Sequence, residues 1–212
     1  MVESCHFQPE SPEHNDESTH RVSQATDIGS IQAEGGQLLD VLVQGGMTHL
    51  VGLPDTISSA LIDAVERDDG VRYIPVTREG EAFALAAGLW VGGADPVVVI
   101  QNTGLLESGD SLRGTIIRMG VPLLCLITYR GYGKMTAAGL EPSFDSLERS
   151  SLVRPDVDST ALLTEPTLKT WGVPTAFLDS HEDLPTVTEI WDQARRDSRP
   201  VALLLRKKLQ SC

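Results

Sequence analysis

Two runs of this chain, Val97-Val98-Val99-Ile100 and Leu123-Leu124-Cys125-Leu126-Ile127, contain no polar residue. A strand with one face in water alternates apolar and polar side chains. A strand that is apolar at every position has to be covered on both faces, as in a parallel sheet sandwiched between helices. Further short apolar or β-branched runs stand at residues 49–53, 72–76, 175–178 and 201–205, and the two founding runs extend to 97–101 and 122–128. Helical periodicity fills the intervals at 32–44, 57–67, 79–90, 112–119, 161–171 and 184–195. The expected fold is therefore α/β, a doubly wound, six-stranded, mainly parallel sheet with helices on both faces, built from residues 31–212. Such a sheet binds ligands at the carboxyl ends of its strands.

At 212 residues the chain can bury a substantial core. Its net charge of -13 argues against nucleic acid, whose phosphates demand a basic footprint. No apolar run approaches the roughly 18 residues of a membrane span, and the first residues lack the pattern of a signal peptide. Cys5, Cys125 and Cys212 lie far apart and form no CxxC pair, which suits reduced thiols in a cytoplasmic protein. Cys125, inside an apolar strand, reads as a small buried hydrophobe. Residues 1–30 are too polar to offset the entropy of ordering and are expected to be a disordered tail. His6, His14 and His20 within it match no metal-ligand spacing, and no metal site is expected on this chain.

Four polar or glycine-rich segments follow the first four strands: Gly52-Leu53-Pro54-Asp55-Thr56, Thr77-Arg78-Glu79-Gly80-Glu81, Gln101-Asn102-Thr103-Gly104 and Tyr129-Arg130-Gly131-Tyr132-Gly133. Any one is ordinary loop chemistry, but together they converge on one edge. Glu79 opens a helix, Ala82-Phe83-Ala84-Leu85-Ala86-Ala87-Gly88-Leu89-Trp90, that is small and apolar on most sides. A carboxylate there is partly desolvated, although an acid in a first turn also simply complements the helix dipole. Asp55 is placed equally well to cap the helix that begins near Ile57.

These segments resemble the pyrimidine-binding domain of thiamine-diphosphate (ThDP) enzymes. Glu79 stands nine positions before Gly88, as the activating glutamate of that domain does before a glycine. Val51-Gly52-Leu53-Pro54-Asp55 is similar to its Gly-x-Pro loop, and Gln101-Asn102-Thr103-Gly104 to its Asn-Ser/Thr-Gly loop. Within the family, Thr77-Arg78-Glu79, Gln101-Asn102-Thr103-Gly104-Leu105 and Tyr129-Arg130-Gly131 look like the α subunit of sulfopyruvate decarboxylase and the matching part of phosphonopyruvate decarboxylase. The likeness covers residues 37–209.

The resemblance implies that Glu79 hydrogen-bonds the N1′ nitrogen of the cofactor's aminopyrimidine and so promotes loss of the thiazolium C2 proton. It places Pro54, Asn102, Thr103 and Gly104 around the cofactor, and Asp55 near the reacting carbon as a proton carrier. Arg78 and Arg130 become candidates for a substrate with a second anionic group beside its 2-oxo acid, and guanidinium suits a sulfonate or phosphonate. The family holds the diphosphate through Mg²⁺ on a second domain with a Gly-Asp-Gly motif. This sequence has only Gly109-Asp110-Ser111. A β subunit carrying that domain, and hence a hetero-oligomer, is the expectation.

Two other classes compete. A non-catalytic binding or regulatory module can keep the fold, but a retained Glu79 favours catalysis. A flavodoxin-like nucleotide binder needs a glycine-rich phosphate cradle, which Leu53-Pro54-Asp55-Thr56 does not offer. Residues 134–158 look enlarged for such a domain and are expected to be a lid or a partner-binding loop.

Overall fold

In the computed structural model of the chain, which describes residues 31–144 and 147–211, the apolar runs divide by parity. Val97, Val99, Leu124, Leu126, Val201, Leu203 and Leu205 join Leu38, Leu42, Leu61 and Trp191 in one core layer. Val98, Ile100, Cys125, Ile127, Ala202 and Leu204 join Phe83, Leu112, Ile116 and Leu168 in the other. Successive strand residues point to opposite faces, so each run feeds both layers at once. Cys125 is one of these core residues, and burial pushes its thiol pKa up. The expected tail at 1–30, with Cys5 and its histidines, and Cys212 lie outside the described residues.

The strands are β1 (His49–Gly52), β2 (Arg72–Pro75), β3 (Pro96–Gln101), β4 (Leu124–Thr128), β5 (Thr175–Phe177) and β6 (Val201–Leu205). They pair in the order β2-β1-β3-β4-β6-β5, and every pair is parallel. The helices in chain order are α1 (Gly35–Gln44), α2 (Ser59–Glu66), α3 (Glu79–Val91), α4 (Asn102–Glu107), α5 (Gly109–Ser111), α6 (Tyr132–Ala137), α7 (Arg149–Leu152), α8 (Ser159–Thr170) and α9 (Leu184–Asp197). The layer with Leu38 and Trp191 packs α1, α2 and α9 against the sheet; the layer with Phe83 and Leu168 packs α3 and α8.

Two local expectations are corrected. The segment after β3 is not a loop, because α4 begins at Asn102, the residue that follows the strand. The expected helix over 112–119 is π-helical at Leu112–Ile117, and the Val121 N–H closes its end on the Ile116 carbonyl at 3.1 Å. Leu112 and Ile116 are fully buried, and that spacing serves an α- or a π-turn alike.

Strand order reverses at β1, which has β2 on one side and β3 on the other. The carboxyl ends of β1 and β3 therefore bound the crevice that the topology leaves open. The turn after β1, the start of α3 after β2 and the start of α4 after β3 all meet there.

Candidate cofactor site

Glu79 is the first residue of α3, behind an extended Arg78 at the N-cap. The carboxylates around it are engaged. Glu81 reaches back to Thr77 and accepts from its N–H at 3.0 Å and its hydroxyl at 3.1 Å, which holds its carboxyl below the ordinary range. Glu107 pairs with the Arg78 guanidinium and accepts from the Gly80 N–H at 3.2 Å, and the Arg78 bond in particular depresses its pKa. Asp55 Oδ1 accepts from the Ile57 and Ser58 N–H groups at 2.9 and 2.8 Å and from the Ser58 hydroxyl at 2.8 Å, while Oδ2 accepts from the Thr128 hydroxyl. Glu79, half-buried, has no hydrogen bond or ion pair to any described residue.

What Glu79 does have is a seat. A Cβ added to the buried Gly104 would lie 2.0 Å from Glu79 Cγ, 2.2 Å from Cδ and 2.3 Å from Oε1. The carboxylate rests against the backbone of the first turn of α4, in space that only glycine leaves open.

Asn102 acts from behind this edge. Its side chain is fully buried; Nδ2 donates to the Arg130 carbonyl at 3.0 Å and to Thr164 Oγ1 at 3.1 Å, and Oδ1 is left without a partner. Thr164 in turn donates to the Thr160 carbonyl at 2.8 Å, so α8 anchors both β3 and β4 ends. Thr103 is exposed and donates to Gln101 Oε1 at 2.5 Å. Arg130 Nη1 approaches the same Gln101 oxygen at 3.5 Å, and its Nε lies 3.5 Å from Asp158 Oδ2. Pro54 is exposed in the turn after β1. Arg78 is committed to Glu107, so the two candidate arginines differ: Arg130 retains only long contacts.

Several residues here escaped sequence reading: Glu107, Thr164 and an Arg206 cluster. Arg206 Nε donates to Asp179 Oδ1 at 2.9 Å, a second arm pairs with Oδ2, and Nη1 donates to the Tyr132 hydroxyl at 2.8 Å. Its guanidinium lies 4.8 Å from the centre of the Tyr132 ring and 4.2 Å from that of Phe177. Next to it, the Tyr129 hydroxyl lies within hydrogen-bond reach of the Ala161 carbonyl at 2.9 Å and of Glu165 Oε1 at 3.1 Å. Partners this far apart along the chain leave no spacing to recognise.

The sequence profile described as "Thiamine pyrophosphate enzyme, N-terminal TPP binding domain" matches residues 34–148, which hold Asp55, Glu79, Gly104 and Arg130. The chain belongs to this family. Relatives of this thiamine pyrophosphate (TPP) domain include the phosphonopyruvate decarboxylase of Streptomyces viridochromogenes, 37% identical over 86 residues, which are 41% of this chain and 22% of that protein. Another is the sulfopyruvate decarboxylase subunit alpha of Methanothermobacter thermautotrophicus, 29% identical over 86 residues, 41% of this chain and 52% of that protein. The chain thus spans about half or less of the length of the curated relatives it matches. Among solved structures, a 2-oxoglutarate:ferredoxin oxidoreductase from Magnetococcus marinus superposes with a TM-score of 0.55 at 16% identity, over 82% of this chain and 29% of that one, and so shares the fold.

The residues of this TPP domain fit the aminopyrimidine end of the cofactor. An uncommitted carboxylate seated on a glycine provides the acceptor that a ring N–H requires, and its neighbours are saturated and stay out of its way. Among the described residues no group of three or more His, Cys, Asp or Glu side chains could hold a metal ion. No helix among them is long and apolar enough to cross a membrane.

Proposed function

We propose that the chain is the α subunit of a split ThDP-dependent 2-oxo acid decarboxylase, acting on 3-sulfopyruvate first and 3-phosphonopyruvate second. The observation that carries this reading is the lone Glu79 carboxylate on Gly104. When bound, ThDP supplies a carbon nucleophile and an electron sink for loss of CO₂.

Glu79 holds the proton at N1′ of the aminopyrimidine, and its half-burial keeps water from competing for that bond. Gly104 lets it approach, and Thr103 and Pro54, both exposed, would contact the cofactor in this reading. Asp55, fixed by Ile57, Ser58 and Thr128, carries protons near the reacting carbon. Asn102 fixes the pocket from behind by tying the ends of β3 and β4 together. Arg130, with only 3.5 Å contacts to Gln101 and Asp158, is freer than Arg78 to meet a substrate anion.

A β subunit holding the diphosphate and Mg²⁺ is part of this reading, supported by the relatives named subunit alpha. A surface suited to it is the outer side of α3, where Ala84, Gly88 and Val91 are exposed in register. The test is a reconstituted complex assayed with sulfopyruvate, phosphonopyruvate and pyruvate, beside the same complex carrying Glu79→Gln. Decarboxylation of the two dianionic acids, reduced by about two or more orders of magnitude in the variant with assembly intact, is the expected result. Equal turnover by the variant, or a preference for plain pyruvate that survives Arg130→Ala, overturns the reading.

A further inference from the structure

A cleft of about 560 Å³ opens beside the end of β4, lined by Arg130, Gly131, Gly133, Lys134 and residues 155–158. Three features mark it out. It adjoins the cofactor edge, because Arg130 borders the cleft while its guanidinium approaches Gln101 and its carbonyl accepts from Asn102. Its floor is bare of side chains at Gly131 and Gly133; at Gly131, with φ of +82°, an added Cβ would come within 2.6 Å of Asp158 Cβ.

Its charges are also unequally engaged. Asp156 is taken by Arg154, with contacts of 3.0 and 2.5 Å. Asp158 Oδ1 caps α8 by accepting from the Thr160 N–H at 3.1 Å, and Oδ2 faces Arg130. The Lys134 ammonium makes no hydrogen bond or ion pair to any described residue. In a chain of net charge -13, an ammonium with no partner among the described residues, beside the cofactor edge, is a local reversal of the surrounding potential.

The frame around the cleft is firm. Arg206, locked to Asp179, holds the Tyr132 hydroxyl and stacks on its ring, which fixes the turn between Arg130 and Lys134. The larger cleft near Lys169, about 790 Å³, opens beside Thr175 at the amino end of β5, away from the edge where the cofactor residues meet.

We propose that the cleft between Arg130 and Lys134 is the subsite for the second anionic group of the substrate, and that Lys134 is the residue that selects for it. This rests on the decarboxylase reading above. A sulfonate or phosphonate one carbon beyond the 2-oxo group takes a charge-assisted hydrogen bond from Lys134 while Arg130 faces it from the cofactor side. Pyruvate, with a methyl group in that place, gains nothing from the ammonium.

The experiment has two arms, run on wild type, Lys134→Ala and Lys134→Arg. In the reconstituted complex, Lys134→Ala raises KM for sulfopyruvate and phosphonopyruvate about tenfold, the size of one lost charge-assisted bond, with kcat and the pyruvate kinetics little changed. Lys134→Arg recovers most of the loss. An equal effect on all three acids, or none, overturns the subsite. In the second arm, methylphosphonate is titrated into the full chain and followed by phosphorus NMR. Binding that weakens about tenfold in Lys134→Ala supports the subsite even if the complex decarboxylates nothing, in which case the decarboxylase reading alone falls. Binding equal in both proteins, or absent from both, overturns the subsite whatever the kinetics of the first arm.

Discussion

Asp55 and Thr128 meet across the end of β3: the threonine hydroxyl, at the last position of β4, donates to the carboxylate in the turn after β1. One oxygen of Asp55 organises its own turn and the other latches a strand two places away in the sheet. Thr128 is fully buried and Asp55 half-buried, so the threonine end of the latch is shielded from solvent.

Thr128→Val removes the hydroxyl and leaves a carboxylate oxygen unmatched. The expected loss is about 1–3 kcal/mol in urea denaturation of the chain, read as a lower midpoint at unchanged slope. Asp55→Asn separates two roles, because Oδ1 still accepts from Ile57 and Ser58. Its stability cost should stay under about 1 kcal/mol while turnover of the complex falls about a hundredfold. A variant that is as active as wild type would reduce Asp55 to a cap.

Gly104→Ala tests the seat of Glu79 without touching its chemistry. The new methyl occupies the space of the carboxylate, so Glu79 has to leave, and turnover is expected to drop as far as in Glu79→Gln. The double variant Gly104→Ala with Glu79→Ala relieves the overlap and should recover the melting temperature but not the activity. Calorimetry and steady-state rates on the same preparations read both effects.

Isothermal calorimetry should show weak binding of ThDP to the chain by itself, with or without Mg²⁺, and tight Mg²⁺-dependent binding once the partner is present. Tight Mg²⁺-dependent binding to the chain alone contradicts a split cofactor site.

Glu165 supplies a pH test. Half-burial raises its carboxyl above the ordinary 4.5, against smaller opposing effects of the Tyr129 hydroxyl and Arg206. The folded protein therefore holds this proton more readily than the unfolded chain, and its contribution to stability is fully present below 4.5 and fades as pH rises through the elevated value. Glu165→Gln keeps an acceptor for Tyr129 and removes the titration. Its melting temperature should exceed that of wild type at neutral pH, by under about 1 kcal/mol equivalent after solvent screening, with the gap closing in acid.

How far the sequence carried differs from element to element. β3, β4 and β6 were legible because strands covered on both faces are apolar along almost their whole length, with Gln101 and Thr128 only at the carboxyl ends. α4 was not, since six residues containing Gly104 hold less than two turns of periodicity and look like loop. The π-helical turn was hidden because Leu112 and Ile116 suit either winding. Glu79 came from its spacing to Gly88 by family likeness, whereas its isolation from every neighbouring cation is a fact of three dimensions. The Asp55 to Thr128 contact spans 73 residues and the Asn102 to Thr164 contact 62. Such pairings follow from strand order, which no local pattern encodes. Lys134 passed unnoticed because an exposed lysine in a glycine-rich segment is unremarkable until its neighbours' charges are found to be spent elsewhere.

With Gln101 the last residue of β3 and Asn102 the first of α4, sheet and pocket are joined without a hinge. The seat of Glu79 consequently inherits the stiffness of the central strand, and it is already assembled before any ligand arrives. If substrate enters here as proposed, this junction offers no hinge to admit it, and the motion that opens the site is expected in elements other than β3 and α4.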